Sequence, residues 1–146
     1  DIPVGGSKVG GRPDLPPDTP WPCVDWDDPE FLAEAEPGDL LPLPFVAQFD
    51  LSEVRPFDAD KKLPGKGLLS VFYAPPDKLL PSHSRVRVLY TAKPAGLVRA
   101  AFPKRLAKGG RYRPCRVGFA KRLTLPPLFS VFLDRAGLTR AERDAY

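Results

Sequence analysis

The fold is decided by residues 45–54, which read Phe45-Val46-Ala47-Gln48-Phe49-Asp50-Leu51-Ser52-Glu53-Val54. The run 45–49 is short, apolar and rich in β-favouring residues, so it predicts a buried strand. The Asp50-x-x-Glu53 spacing is typical of a helix N-cap with a reciprocal acid, and it predicts one helical turn. Gln48 is the polar residue inside the strand, and a buried amide must find hydrogen-bond partners. It either bonds the backbone of the N-terminal loop or serves as an amide of a binding site.

Apolar runs further along the chain extend this strand into a sheet. Residues 68–73 predict a second strand, and residues 85–91 predict a third, in which Val86, Val88 and Tyr90 alternate with the other side chains. This period of two indicates one buried and one wetted face. Residues 97–102 and 115–125 predict further strands, whereas the apolar run 128–133 fits a strand or a helix.

The helices are expected to be short and peripheral. Asp28 before Pro29 is a good N-cap and first helical residue, so a helix is predicted near residues 29–36. The capping box from Thr139 to Glu142 predicts another helix that starts there. The predicted fold class is β-rich α+β: an antiparallel sheet of four to six strands with short peripheral helices and a long Pro/Gly-rich N-terminal loop.

That loop, residues 1–22, is unusual in composition. Its glycines permit backbone angles that other residues resist, and its prolines fix theirs. We expect a shaped loop, neither helix nor strand, that lies across the sheet and is packed by Val9, Leu15 and Trp21. Its structural motif consists of Gly10, Gly11, Pro13, Leu15, Pro16, Trp21, Pro22 and, from the strand, Gln48.

The glycines of residues 5–11 also suggest an anion site. Successive amides in a glycine-rich turn can form an anion-binding nest, to which Lys8 and Arg12 would add positive charge. The Walker pattern is absent, because it needs Gly-x-x-x-x-Gly-Lys followed by Ser or Thr. The alternative is a structural loop whose glycines let Val9 and Trp21 pack closely.

Taken together, residues 5–16, Trp21-Pro22, residues 45–54 and residues 65–73 resemble the YwqG-like family of bacterial proteins. The resemblance implies no established biochemical role. It implies a two-part arrangement of which this chain is the first half. Residues 1–137 would then form a single β-rich domain, with an insertion at 23–41, and residues 138–146 the truncated start of a linking helix.

Charge is segregated along the chain. Residues 78–133 contain 13 Lys or Arg and no acid, whereas residues 1–77 contain 15 acids and 6 bases. The basic segment either forms a positive face for an anionic partner or is neutralised by the acidic half, for which Asp25, Asp27, Asp28, Glu30, Glu34, Glu36 and Asp39 are available. The densest cations are Lys104, Arg105, Lys108, Arg111, Arg113 and Arg116, with Tyr112 and Phe102 as stacking groups. The segment has no recognisable nucleic-acid-binding motif.

Catalytic and metal-binding patterns are missing from the sequence. The single histidine, His83, lies between two serines that are poorly placed for a catalytic set. Cys23 and Cys115 are interpreted as buried fillers, with a disulfide or a reactive thiol as alternatives. These residues do not have metal-ligand spacing, so no metal, cofactor or catalytic residue is predicted.

The sequence therefore predicts a non-enzymatic macromolecule-binding module, by analogy an accessory or immunity-like protein. The expected partner is another protein or the second half of the parent. Binding of nucleic acid or another polyanion through residues 85–122 is an alternative, as is an enzyme site near Lys8, Arg12, Gln48 and Asp50. No membrane association is expected. The cysteine usage and the lack of a signal-peptide pattern predict a cytoplasmic protein, and the missing initial methionine suggests that the chain starts inside a longer product.

Overall fold

The computed structural model describes residues 1–25, 40–74, 86–122, 137 and 139–144. The strands in these ranges are short and are, in chain order, β1 (Lys8–Val9), β2 (Asp14–Leu15), β3 (Cys23–Asp25), β4 (Leu40–Pro42), β5 (Phe45–Asp50), β6 (Leu68–Tyr73), β7 (Val86–Thr91), β8 (Val98–Arg99) and β9 (Cys115–Arg116). The predicted helix near 29–36, the histidine His83 and the apolar run 128–133 lie outside the described residues.

Five of these strands form one antiparallel sheet in the order β7-β6-β5-β1-β9. The β-rich α+β fold class and the predicted number of strands are thus confirmed. The long strands β5, β6 and β7 coincide with the three strongest predicted runs. They are aligned so that Phe45 lies opposite Phe72 and Val71 opposite Val88.

The N-terminal segment differs from the predicted loop, because part of it is a strand inside the sheet. Lys8 of β1 pairs with Gln48 of β5 on one side and with Arg116 of β9 on the other. Further along, β2 pairs with β8 in a separate two-stranded ladder, in which Asp14 lies opposite Arg99. Strands of two residues do not produce a detectable apolar period, which explains why composition predicted only a loop.

The core contains the buried side chains Leu15, Leu43, Phe45, Phe72 and Ala74, with Trp21, Leu41, Leu89 and Ala100 packed around them. The ring of Trp21 meets that of Phe72 edge-on, with 5.5 Å between the centroids. The indole Nε1 of Trp21 donates a hydrogen bond to the carbonyl of Leu43 at 2.9 Å. Leu15 and Trp21 therefore anchor the N-terminal segment, as expected, whereas Val9 is exposed and does not.

The predicted difference between the two faces of β7 is present, and the face that carries the β-branched side chains is the exposed one. Val86, Val88 and Tyr90 are each about half exposed, and Leu89 packs against the core instead. Pairing explains this orientation: Leu89 lies opposite the buried Ser70 of β6, so both side chains point to the core face. A period of two shows that the two faces of a strand differ, but it does not show which one is inside.

The remaining elements are short. Helix α1 (Leu51–Val54) begins at the predicted N-cap, where Oδ1 of Asp50 accepts a hydrogen bond from the amide of Ser52 at 2.9 Å. Helix α2 (Arg140–Asp144) follows the predicted capping box, in which Glu142 accepts hydrogen bonds from Thr139. The predicted strands 97–102 and 115–125 are reduced to the two-residue β8 and β9 in the described part of the chain. No helix among the described residues is long and apolar enough to cross a bilayer.

Candidate functional site

A buried carboxylate, that of Asp14, connects three separate parts of the chain. Its Oδ2 accepts hydrogen bonds from Lys8 Nζ at 2.7 Å, from Gln48 Nε2 at 2.8 Å and from the amide of Gly5 at 3.0 Å. Its Oδ1 accepts one from Arg99 Nε at 2.9 Å. The side chains of Asp14 and Lys8 are 0% and 2% exposed, so their ion pair is shielded from water.

Gln48 holds the N-terminal segment against the sheet. Its Oε1 accepts a hydrogen bond from the amide of Asp14 at 2.9 Å, and its Nε2 donates to the carbonyl of Gly6 at 2.9 Å as well as to Asp14 Oδ2. Gln48 is fully buried. This arrangement agrees with the first of the two alternatives given for Gln48, in which its side-chain amide bonds the backbone of the N-terminal loop.

Burial and hydrogen bonding shift the pKa values of Asp14 and Lys8. Burial alone would raise the pKa of Asp14, but hydrogen bonds from Arg99, Lys8, Gly5 and Gln48 outweigh it, so the pKa lies below its usual range. Burial lowers the pKa of Lys8, and the hydrogen bond and charge of Asp14 offset this only in part. Asp14 is therefore a carboxylate at neutral pH.

A pocket of about 490 Å³ opens beside the ion pair of Lys8 and Asp14. Strand register brings its charged side chains together, because Lys8 of β1 lies opposite Arg116 of β9 and Asp14 of β2 lies opposite Arg99 of β8. The pocket is lined by Asp1, Ile2, Lys8, Gly11, Arg12, Arg99, Phe102, Tyr112, Pro114 and Arg116. Four cationic side chains thus converge on one concave surface.

Two glycines allow the backbone of residues 112–114 to lie close to residues 10–11, so that Tyr112 and Pro114 line one side of this pocket. Both Gly10 and Gly11 have a φ of +71°, in the left-handed region that glycine favours. A Cβ at Gly10 would lie 2.3 Å from the carbonyl oxygen of Arg113, and one at Gly11 would lie 2.8 Å from Cβ of Pro114. The glycines are needed for this close approach, and not for packing of Val9 against Trp21.

The glycine amides do not form the anion-binding nest that the sequence suggested. The amides of Gly6, Gly10 and Gly11 donate to the carbonyls of Pro3, Val46 and Tyr112. The amide of Gly5 donates to the Asp14 carboxylate. These donors are used inside the molecule, so an anion at this site would have to be bound by side chains.

The model of one protein family, a domain of unknown function (DUF1963), matches residues 7–128. The chain belongs to this family. The matched range starts just before β1 and extends beyond β9, so the DUF1963 domain contains the whole five-stranded sheet. The resemblance to YwqG-like proteins is consistent with this family. No curated protein matches the chain.

The basic residues predicted for anion binding fall into two groups on the DUF1963 domain. Lys8, Arg12 and Arg116 line the pocket, with Lys8 at its base. The others, Lys104, Arg105, Lys108, Arg111 and Arg113, are exposed on the connection between β8 and β9 and on its turn at Lys108–Gly110. The acids proposed to neutralise them lie outside the described residues, except Asp25, whose side chain is not described.

The predicted enzyme constellation is not brought together. Lys8 and Gln48 meet at Asp14, but Gln48 does not line the pocket, and Asp50 caps α1 and lines a different cavity together with Glu53. Cys23 is partly buried and Cys115 is exposed, and both are free, so the buried-filler interpretation fails for Cys115 and no disulfide joins them. In the described ranges, no group of three or more His, Cys, Asp or Glu could hold a metal ion.

Sequence reasoning missed Asp14 and Arg99, the two residues that organise the site. They are 85 positions apart and meet only because β2 pairs with β8. One signal was present, since Arg99 lies in the acid-free segment and Asp14 in the acidic half, but nothing in the sequence singled them out among the other charges.

Proposed function

We propose that this DUF1963 domain is a non-enzymatic binding module whose partner is an acidic surface of another protein. One observation carries the proposal: five basic side chains between residues 104 and 116 are exposed and form no ion pair with a described residue. Lys104, Lys108, Arg111, Arg113 and Arg116 form no ion pair with any residue that the structure describes. A surface whose charges have one sign attracts a partner of opposite charge and increases the rate of association.

The residue types in one part of this surface, residues 111–116, are those enriched at protein interfaces. Arginine and tyrosine are enriched at protein interfaces, whereas lysine is depleted. Residues 111–116 contain Arg111, Tyr112, Arg113 and Arg116 and no lysine. The exposed Tyr112 lies among these charges and supplies apolar contact area.

The arrangement of the other polar groups supports a binding role without catalysis. Lys8 is held by Asp14, and Gln48 is held between Asp14 and Gly6. Asp50 is committed to the start of α1. A catalytic group has to face its substrate within hydrogen-bond reach, and these three residues do not face one common cavity.

The test uses immobilised poly-L-glutamate as the acidic probe and short single-stranded and duplex DNA as competitors. We expect retention at low salt and elution as salt rises, since the contacts are electrostatic. The triple variant Lys104→Ala, Lys108→Ala, Arg113→Ala should elute at clearly lower salt. It leaves the residues that line the pocket intact.

The matched control is Lys61→Ala, Lys66→Ala, Lys93→Ala, which removes the same charge from exposed positions elsewhere. It should elute close to the unchanged protein. Equal weakening by both triples would mean that only net charge matters and would overturn the proposal, as would flow-through of the unchanged protein. Binding of DNA in strong preference to poly-L-glutamate would replace the protein partner with nucleic acid.

A further inference from the structure

The pocket beside Asp14 carries more positive charge than its own residues balance. Lys8, Arg12, Arg99 and Arg116 contribute four cations, and Asp1 and Asp14 contribute two carboxylates. Counted over side chains alone, two positive charges are therefore in excess. Like charges held together in a concave site repel each other unless an anion is bound between them.

Several donors in the pocket have no acceptor among the described residues. Lys8 Nζ makes one hydrogen bond, to Asp14, and two of its three N–H groups are unused although the side chain is 98% buried, its exposed fraction being 2%. Arg99 uses Nε for Asp14 and Nη2 for the carbonyl of Ile2, which leaves its Nη1 group. Arg12 and Arg116 make no hydrogen bond to any described residue. Of these donors only those of Lys8 are buried, and because a buried donor normally has an acceptor, acceptor atoms of a bound ligand would complete its hydrogen bonds.

The opposite wall of the pocket is apolar and contains flat rings. Tyr112 is 39% exposed, and Pro114 lies beside it. Phe102 also lines the pocket, with the guanidinium of Arg111 stacked 5.4 Å from its centroid on one side. A volume of about 490 Å³ is large enough for a small-molecule ligand and much larger than a single oxyanion needs.

We infer that this pocket binds a phosphate monoester that carries an aromatic ring. The phosphate occupies the space between the guanidinium groups of Arg12, Arg99 and Arg116 and the ammonium group of Lys8, and the ring lies against Tyr112. A phosphate monoester carries a charge of about −1.5 to −2 at neutral pH, which matches the excess in the pocket better than a single carboxylate does. Guanidinium groups bind its oxygens in the bidentate geometry that arginine favours. The inference does not depend on the acidic protein partner, because the residues are different apart from Tyr112 and Arg116.

Isothermal titration calorimetry with phenyl phosphate at pH 7.5 and low salt tests the inference. We expect saturable one-to-one binding that is tighter than binding of inorganic phosphate, which lacks the ring. Benzenesulfonate, with the same ring but a single charge, should bind more weakly. Adenosine monophosphate is included to separate two sources of the same chemistry: tighter binding than phenyl phosphate assigns a nucleotide, and weaker binding assigns a smaller aryl phosphate.

Three variants make the test specific. Arg12→Ala should lower the affinity for phenyl phosphate about tenfold or more, since it removes charge-assisted hydrogen bonds to the phosphate at an exposed residue. Arg87→Ala, which removes an exposed arginine on β7, should leave it unchanged. Tyr112→Ala should weaken phenyl phosphate and leave inorganic phosphate unaffected.

Failure of phenyl phosphate to bind would overturn the inference, as would equal affinity of the Arg12→Ala protein and the unchanged protein. If phenyl phosphate and inorganic phosphate bound with equal affinity, the aromatic ring would not be part of the inferred ligand. None of these results bears on the acidic protein partner, because retention on poly-L-glutamate is measured with variants that leave the pocket intact.

Discussion

Lys8 Nζ and Asp14 Oδ2 lie 2.7 Å apart, and their side chains are only 2% and 0% exposed. Removal of one partner of a buried pair leaves a charge without compensation, whereas an exposed pair contributes little. The same chain contains an exposed pair of the same residue types, Lys62 with Asp60 at 3.0 Å, whose side chains are 78% and 70% exposed. The two pairs allow a direct comparison.

Asp14→Asn should destabilise the domain by about 3–5 kcal/mol, because Lys8 and Arg99 then lose their anion. Asp60→Asn should change the free energy of unfolding by less than about 0.5 kcal/mol. Urea unfolding followed by tryptophan fluorescence measures both. A small effect of Asp14→Asn would show that the pair contributes little to folding. If that variant is not folded at pH 7, Lys8→Met provides the same comparison with a smaller expected loss, since Asp14 retains Arg99, Gly5 and Gln48.

The same carboxylate predicts how stability depends on pH. The pKa of Asp14 is lowered in the folded protein, so its contribution is fully present above the unfolded value of about 3.9 and is lost as the pH falls through the folded pKa. Lys8 is protonated in both states at acidic pH and adds no slope there. The difference in unfolding free energy between the unchanged protein and Asp14→Asn should be constant from pH 7 to about pH 5 and should shrink below about pH 4. A difference that is independent of pH down to pH 3 would contradict the assignment.

Gln48 provides a third prediction, which concerns the attachment of the N-terminal segment. Gln48→Leu removes the acceptor of the Asp14 amide and the donor to the Gly6 carbonyl, and it should destabilise the domain by about 2–4 kcal/mol. Hydrogen exchange gives a local readout, because the Asp14 amide should exchange faster than global unfolding permits. The amide of Tyr73, which donates to the Pro44 carbonyl, is the internal control and should follow global stability. If the substitution reduced the protection of both amides from exchange equally, Gln48 would not attach the N-terminal segment beyond its contribution to global stability.

The extent to which sequence predicts this molecule can be seen by comparing Gln48 with Asp14. The strand 45–49, the cap at Asp50 and the need of Gln48 for partners follow from local pattern, because each depends on neighbours within a few residues. The ion pairs of Asp14 do not, since they depend on the antiparallel pairing of β1 with β5 and of β2 with β8, and β1, β2 and β8 have only two residues each. Lys8, Arg12 and Arg116 were named as anion-binding candidates from the sequence, but in two separate segments and without the pocket that they line. Its geometry could not be predicted, because it arises from contacts between residues about 100 positions apart.

Gly10 and Gly96 distinguish two reasons for the presence of glycine, which are a left-handed backbone conformation and a lack of space for a side chain. Both have positive φ values, +71° and +74°, but a Cβ at Gly10 would lie 2.3 Å from the Arg113 carbonyl oxygen, whereas nothing lies within 4 Å at Gly96. Gly96→Ala should therefore cost only the backbone strain, about 1–2 kcal/mol. Gly10→Ala should cost at least about 1 kcal/mol more, since residues 112–114 have to move away. Thermal unfolding of the two variants measures the difference, and equal losses would mean that the wall of the pocket adapts freely.

Val88 and Leu89 are neighbours on β7 whose side chains lie on opposite faces of the sheet. Val88 is 53% exposed, whereas Leu89 packs against the core. Val88→Thr keeps the β-branched shape and should change the unfolding free energy by less than about 0.5 kcal/mol. Leu89→Thr removes apolar contacts with the core and should cost at least about 1 kcal/mol. Urea unfolding of the two variants decides between the two orientations of the strand, because a larger loss for Val88→Thr than for Leu89→Thr would place the valine face of β7 against the core.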